Sequence, residues 1–208
     1  MKTITKEELN KILEEHKLWL DSNEEKGNRA DLSFTILRNV NLVDADLRRA
    51  ILVEADLRRA NLRRATLEEA DLRDAIFVEA NLRKADLSHA NLRYADLRHA
   101  DLSGADLSAT DLRLSDLRFS YLKDTDLVGA NLNQASTSKV NGLKVYSIDN
   151  IGTFDGKVTY IPSLDIVFAG CWKGNLEDFL EKGLEMNKEE SNKLEEIKDA
   201  YYFFKNRK

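Results

Sequence analysis

The chain has 208 residues, of which 42% are hydrophobic and 33% charged, with a formal net charge of −5. That hydrophobic share is enough for a real core and argues against a disordered chain, while the near balance of signs speaks against the single-sign field of a nucleic-acid binder or an acidic decoy. Cys171 is the only cysteine, which excludes an internal disulfide, weakens any thiolate metal cluster and suits a reducing, cytoplasmic setting.

Charges recur from Lys2 to Glu8 before any apolar stretch begins, so no signal-peptide core is expected there, and no later run approaches membrane-spanning length. Thr5-Lys6-Glu7-Glu8 reads as a capping box, followed by Leu9, Ile12, Leu13, His16 and Leu20 at helical spacing with Trp19 beside them. The spacing predicts a helix over 5–22 within an N-terminal capping segment, 1–29; an amphipathic partner-binding helix is the alternative.

From Ala30 the sequence repeats every five residues, and leucine stands at every fifth position from Leu32 to Leu132 with Phe77 the single exception among 21 centres. Two residues before each centre stands alanine in 15 cases, and otherwise Thr35, Val40, Thr110, Ser115, Ser120 or Thr125. A period of five fits neither regular element. On an α-helix the leucines would spiral around the whole surface, and on a flat strand they would alternate faces. A corner in every repeat resolves this: the chain then coils around a narrow column filled by Ala and Leu.

The run Ala-Asp-Leu-Arg-Arg, Ala-Asn-Leu-Arg-Arg, Ala-Asp-Leu-Arg-Asp closely resembles the pentapeptide-repeat family over residues 30–135. The resemblance implies an all-β solenoid, a right-handed quadrilateral β-helix with four repeats per coil and about five coils. Open ends of such a column expose unpaired backbone and core leucines, so caps are expected at both.

After Ala135 the period lapses, and Ser136-Thr137-Ser138 with Asn141-Gly142 marks a boundary. Residues 143–151, 158–161 and 165–169 read as strands, the first two joined around Asp155-Gly156. Asn175 and Asn187 read as helix N-caps with Asp178 and Glu190 three residues on, and the second helix carries Leu194, Ile197, Tyr201 and Phe204 along one seam. Residues 136–208 are therefore expected to form a small α+β module docked on the column. The turn Gly170-Cys171-Trp172-Lys173-Gly174 resembles a C-terminal module of phage and bacterial proteins of unknown function, which implies an origin but no activity.

Catalysis finds little support. His89 and His99 stand two repeats apart, on opposite sides of a four-sided column, where they can share neither a metal nor a proton. No phosphate loop, metal-ligand motif or nucleophile elbow occurs, so no catalytic residue, metal or cofactor is expected. Cys171 reads as a structural cysteine beside Trp172. Asp86, Asp106 and Asp126 fall in one row and Asp96 and Asp116 in another; acceptors for corner amides explain them better than calcium does. Arginines also form rows, with Arg73, Arg93 and Arg113 in one, Arg63 and Arg83 in another, and Arg98 and Arg118 in a third. Glu54, Glu68, Glu69, Asp74 and Glu79 interleave with them, so lateral pairing is expected.

Residues 30–135 hold 18 acidic and 15 basic side chains. Some pentapeptide-repeat proteins protect DNA gyrase from quinolones by resembling DNA, which needs a continuous anionic surface; a topoisomerase-binding mimic is thus a disfavoured rival. An enzyme with its site near Cys171 and Trp172 is a second rival. The favoured reading is a non-catalytic scaffold or protein-interaction protein, with no membrane contact and no direct nucleic-acid binding.

Apolar residues at outward positions single out a surface. Tyr94 and Leu114 share a row, Phe119 lies one face on, and Tyr121 projects from the next repeat; such a patch marks contact with another surface. Burial under the C-terminal module of the same chain is one expectation, and a two-fold homodimer is the other. Phe34, in the row of Tyr94, is expected to serve the N-terminal cap.

Overall fold

The computed structural model describes residues 1–151, 154–170 and 172–207. Each five-residue unit contributes one β-bridge and one turn. Parallel bridges join residues 20 apart, from Asp31↔Ile51 through Asp71↔Asn91 to Tyr121↔Asn141. Four five-residue repeats therefore complete a coil, and successive coils stack at about 4.8 Å.

The turns explain the period. Ala45 N–H donates to the Leu42 carbonyl at 3.1 Å, closing a four-residue turn whose third residue, Asp44, has φ of 58°. Positive φ at that position alone is the type II pattern. The same left-handed residue recurs in every repeat from Phe34 to Lys139, usually with a side chain other than glycine. Each non-glycine residue there is strained, but from Phe34 to Phe119 the corner N–H is held by the next coil, as Asp44 N–H is by the Arg63 carbonyl at 3.1 Å.

Inside, the leucines and Phe77 are buried and the alanines two residues ahead fill the space between them. Full burial of each leucine contributes about 1.5–3 kcal/mol relative to exposure. Most hydroxyls that replace alanine find a carbonyl, as Thr110 Oγ1 donates to Leu87 at 2.8 Å and Ser115 Oγ to Leu112 at 2.7 Å; the buried Ser120 Oγ is the exception and meets no partner among the described residues. The coil geometry continues beyond Ala135, because Ser136 bridges Asp116 and Thr137 occupies the buried central position. Threonine there hides the repeat from a leucine-based reading.

At the N-terminal end, β1 (Lys2–Thr3) pairs in parallel with β2 (Thr35–Ile36), adding a short rung below the first coil. Helix α1 (Lys6–Asp21) follows, with Thr5 and Glu8 making both hydrogen bonds of the expected capping box. Leu9 joins the buried cluster of the column, and Ile4, Ile12 and Leu13 pack against it. Phe34 corrects an expectation: its side chain is exposed, and it is its carbonyl that serves the end, accepting Lys2 N–H at 2.5 Å.

Beyond the column, strands β3 (Tyr146–Ile151), β4 (Phe154–Ile161), β5 (Ile166–Ala169) and β6 (Trp172–Gly174) form an antiparallel sheet in that order. A short 3-10 turn, Pro162–Leu164, links β4 to β5. Helices α2 (Leu176–Met186) and α3 (Ser191–Lys205) complete the module. The sheet is sandwiched, and strand alternation assigns its faces. Ile161 and Phe168 belong to the column's buried cluster, whereas Val158, Tyr160, Val167 and Ala169 pack with Phe179, Ile197 and Phe204 of the helices.

Three local expectations are corrected. Asp155-Gly156 falls within β4 and not between β3 and β4; residues 152–153 lie outside the described residues. The stretch expected as a turn contains β6, because Val167 and Ala169 of β5 pair with Gly174 and Trp172. Asn175 caps α2 through a box with Asp178, but Asn187 ends that helix instead of starting the next: its Nδ2 donates back to the Gly183 carbonyl at 2.7 Å. No helix among the described residues is long and apolar enough to cross a membrane.

Candidate interaction surface

The coil repeat makes rows out of residues 20 apart, so the outward patch can be built row by row. Tyr94 and Leu114 occupy left-handed corner positions in successive coils, which turns both side chains outward. Their N–H groups donate to the carbonyls of Arg113 and Asn133, each at 3.1 Å. Phe119 stands at the next corner. Its ring stacks on His99 with centroids 4.9 Å apart and planes 6° from parallel, and Lys139 Nζ lies 5.0 Å from its centroid. Tyr121 replaces the usual Asp or Asn and bridges Asp101 and Asn141. His99 and Lys139 were missed as parts of this surface; their spacing of 20 from Phe119 was the available signal.

All four patch residues remain outward: Tyr94 is 51% exposed, Leu114 38%, Phe119 37% and Tyr121 50%. The expectation that the C-terminal module buries them is therefore corrected. The module uses its sheet face, with Ile161 and Phe168, against the column's buried cluster, and leaves the patch open.

Charged rows are largely neutralised within single repeats. Six arginines fork onto the aspartate two residues earlier, as Arg113 does onto Asp111 at 2.8 and 2.5 Å; Arg48, Arg58, Arg73, Arg98 and Arg118 do the same. The backbone N–H of the same arginine donates to the same aspartate, so Asp46 accepts both the fork and the corner amide of Arg48. That hydrogen bond from the guanidinium is the main reason Asp46 and Asp71 sit below the usual carboxylate range. Cross-coil pairs expected from the rows also occur, Arg64 with Asp44 at 2.5 Å and Arg59 with Glu79 at 2.7 Å. Asp56 is wholly buried and accepts from both Arg38 and Arg58.

Asp86, Asp106 and Asp126 do line up, but each accepts the N–H two residues on, at 2.9, 2.8 and 2.8 Å. Corner duty thus accounts for them. His89 and His99 lie half a coil apart and do not meet. Near Trp172 a pocket of about 300 Å³ opens between β6 and α2, lined by Lys173, Asp178, Glu181, Lys182 and Glu185. Asp178 is engaged at the cap of α2, and Lys182 pairs with Glu185 at 2.7 Å. Cys171 lies outside the described residues.

A family model described as pentapeptide repeats matches in eight copies, over residues 28–64, 55–93, 65–104 and 95–134. No curated protein matches the chain. Among solved structures, a pentapeptide repeat protein from the Arabidopsis thaliana thylakoid lumen is 33% identical over 46% of this chain and 67% of its own, with a TM-score of 0.45. Rfr23 from the cyanobacterium Cyanothece 51142 is 27% identical over 51% of this chain and 86% of its own, with a TM-score of 0.36. QnrB1, a plasmid-mediated fluoroquinolone resistance protein, is 19% identical over 59% and 69%, with a TM-score of 0.36.

Proposed function

The chain belongs to the pentapeptide-repeat family, and on that premise we propose that it is a non-catalytic scaffold that works through protein contacts made by Tyr94, Leu114, Phe119 and Tyr121. The reading takes the column as a right-handed four-sided β-helix of about five coils, with residues 1–29 and 136–208 as its two ends. It places the protein in the cytoplasm of a bacterium or phage-infected cell, which a single cysteine suits.

One observation carries the reading: four large apolar side chains stay at least 37% exposed in adjoining rows towards the C-terminal end of the column, where most outward positions carry charged or polar groups. Aromatic residues held by rigid backbone lose little entropy on contact and are the usual anchors of interfaces. Phe119 is also pre-ordered by its stack on His99, which lowers the cost of binding further. Interleaved Arg–Asp forks make a continuous anionic face unsuited to this surface, which counts against DNA mimicry.

The test replaces Phe119 and Tyr121 together by glutamate. Because both side chains point to solvent, melting should change little, while a protein that the wild type retains from an extract of its native host should be lost. Retention of the same protein by both forms, or of none by the wild type, overturns the assignment of the patch.

A further inference from the structure

Where the module meets the column wall, a half-open pocket of about 240 Å³ is lined by Arg93, Arg113, Asn131, Asn133, Gln134 and, from the module, Gly170. Arg93, Arg113 and Asn133 stand 20 residues apart, one above another in successive coils. Their chemistry differs. Arg113 is held in a fork by Asp111. Arg93 has no ion pair among the described residues, and its guanidinium lies 5.6 Å over the ring of Tyr94. Asn133 is 6% exposed; its N–H donates to Asn131 Oδ1 at 3.1 Å, but its own Oδ1 meets no donor. Buried side-chain carbonyls are nearly always paired.

We infer that this pocket binds a small hydroxycarboxylate, whose carboxylate pairs with Arg93 and whose hydroxyl donates to Asn133 Oδ1. An unpaired guanidinium supplies planar donors suited to a carboxylate. The buried oxygen in the same pocket requires a donor, so a simple anion satisfies only half of the site. A volume of about 240 Å³ suits a molecule of a few carbons. Leu114 borders the pocket and supplies an apolar wall for the carbon chain. The pocket borders the contact patch at Tyr94 and Leu114, but the two polar groups that would hold the ligand, Arg93 and Asn133, are not part of that patch, and the calorimetric test below leaves Phe119 and Tyr121 unchanged.

Calorimetric titration with malate and with succinate tests it, because the two dicarboxylates differ by one hydroxyl. Malate should bind saturably at matched ionic strength, and succinate about tenfold or more weakly, since a site that pairs a hydroxyl rejects the analogue lacking it. Arg93→Gln should weaken malate by about tenfold or more through loss of a charge-assisted contact. Asn133→Ala should bind both ligands alike. The two variants are separate readouts, so misfolding of one leaves the other decisive. No saturable binding of malate, equal binding of malate and succinate by the wild type, or undiminished binding by Arg93→Gln overturns the inference.

Discussion

Nδ1 of His16 accepts the backbone N–H of Ala30 at 3.1 Å, which ties helix α1 to the first residue of the repeat through an imidazole with no exposed surface. The ring also stacks on Trp19 at 5.6 Å. An accepting Nδ1 requires the neutral tautomer with hydrogen on Nε2. Burial is the main cause that lowers the pKa below its ordinary value of 6.5; Asp46 and the backbone of Arg48 oppose it, and the charges of Arg29 and Arg48 add to it.

The sign of the pH dependence follows. Below 6.5 the unfolded chain takes up a proton at His16 that the folded chain resists, so stability is full above 6.5 and falls as pH drops from there through the folded pKa. Melts of the wild type should therefore decline over that window. His16→Asn keeps an acceptor near the position of Nδ1 without titrating, and should flatten the decline. Equal slopes in both proteins would remove His16 as the cause.

The column should resist change inside and accept it outside. Leu82→Ala removes a fully buried side chain and should cost about 2–5 kcal/mol through lost burial and a residual cavity. Ala80→Leu should also destabilise, by about 1–3 kcal/mol, because the interior has no spare volume. Arg83→Ala is the control: its pair with Asp101 spans 3.2 Å between partly exposed side chains, worth under about 1 kcal/mol. Denaturant titration of the three variants ranks them.

The left-handed corners give a test of backbone strain. Gly104 has φ of 68°, and a Cβ there would meet only Lys84 Cγ, at an ordinary 3.4 Å. Gly104→Ala should nevertheless destabilise by about 1 kcal/mol, since the strain is conformational. Ala109 has φ of 54°, so Ala109→Gly should stabilise by up to about 1 kcal/mol after the entropy cost of glycine. Opposite signs in the two melts are expected.

What the sequence made legible was whatever repeats. The register of leucine and alanine led to the inward positions because only one backbone path keeps both inside, and Thr5 with Glu8 announced a helix start by a local rule. The six Asp–Arg forks were less visible, since rows 20 apart suggest pairing between coils while the corner brings residues two apart into a fork. Thr137 was hidden because its buried place comes from the coil beneath it and not from its own polarity. The pocket at Asn133 needed two segments far apart in sequence, the column wall and Gly170, and no local pattern joins them. Asn187 looked like a helix start because asparagine satisfies either end; only its bond to Gly183 decides.

The docking of the C-terminal module can be tested by the alternation within β5. Phe168 enters the buried cluster of the column, while Val167 on the opposite face joins the cluster of α2 and α3. A hydroxyl chain crosses the same junction, from Thr137 to Ser147 at 3.4 Å and from Ser147 to Thr159 at 3.1 Å. Phe168→Asp should therefore loosen the module from the column while the module's inner cluster remains packed. Val167→Asp should instead disrupt that inner cluster, because the charge is buried among Val158, Tyr160 and the helices. Hydrogen exchange separates the outcomes. In Phe168→Asp, protection should fall at the last coil, around Leu127 and Leu132, and persist in α2 and α3. In Val167→Asp the helices should lose protection first. Identical exchange patterns in the two variants would mean that the faces of β5 are not divided between column and helices, and that the module and the column's end unfold as one unit.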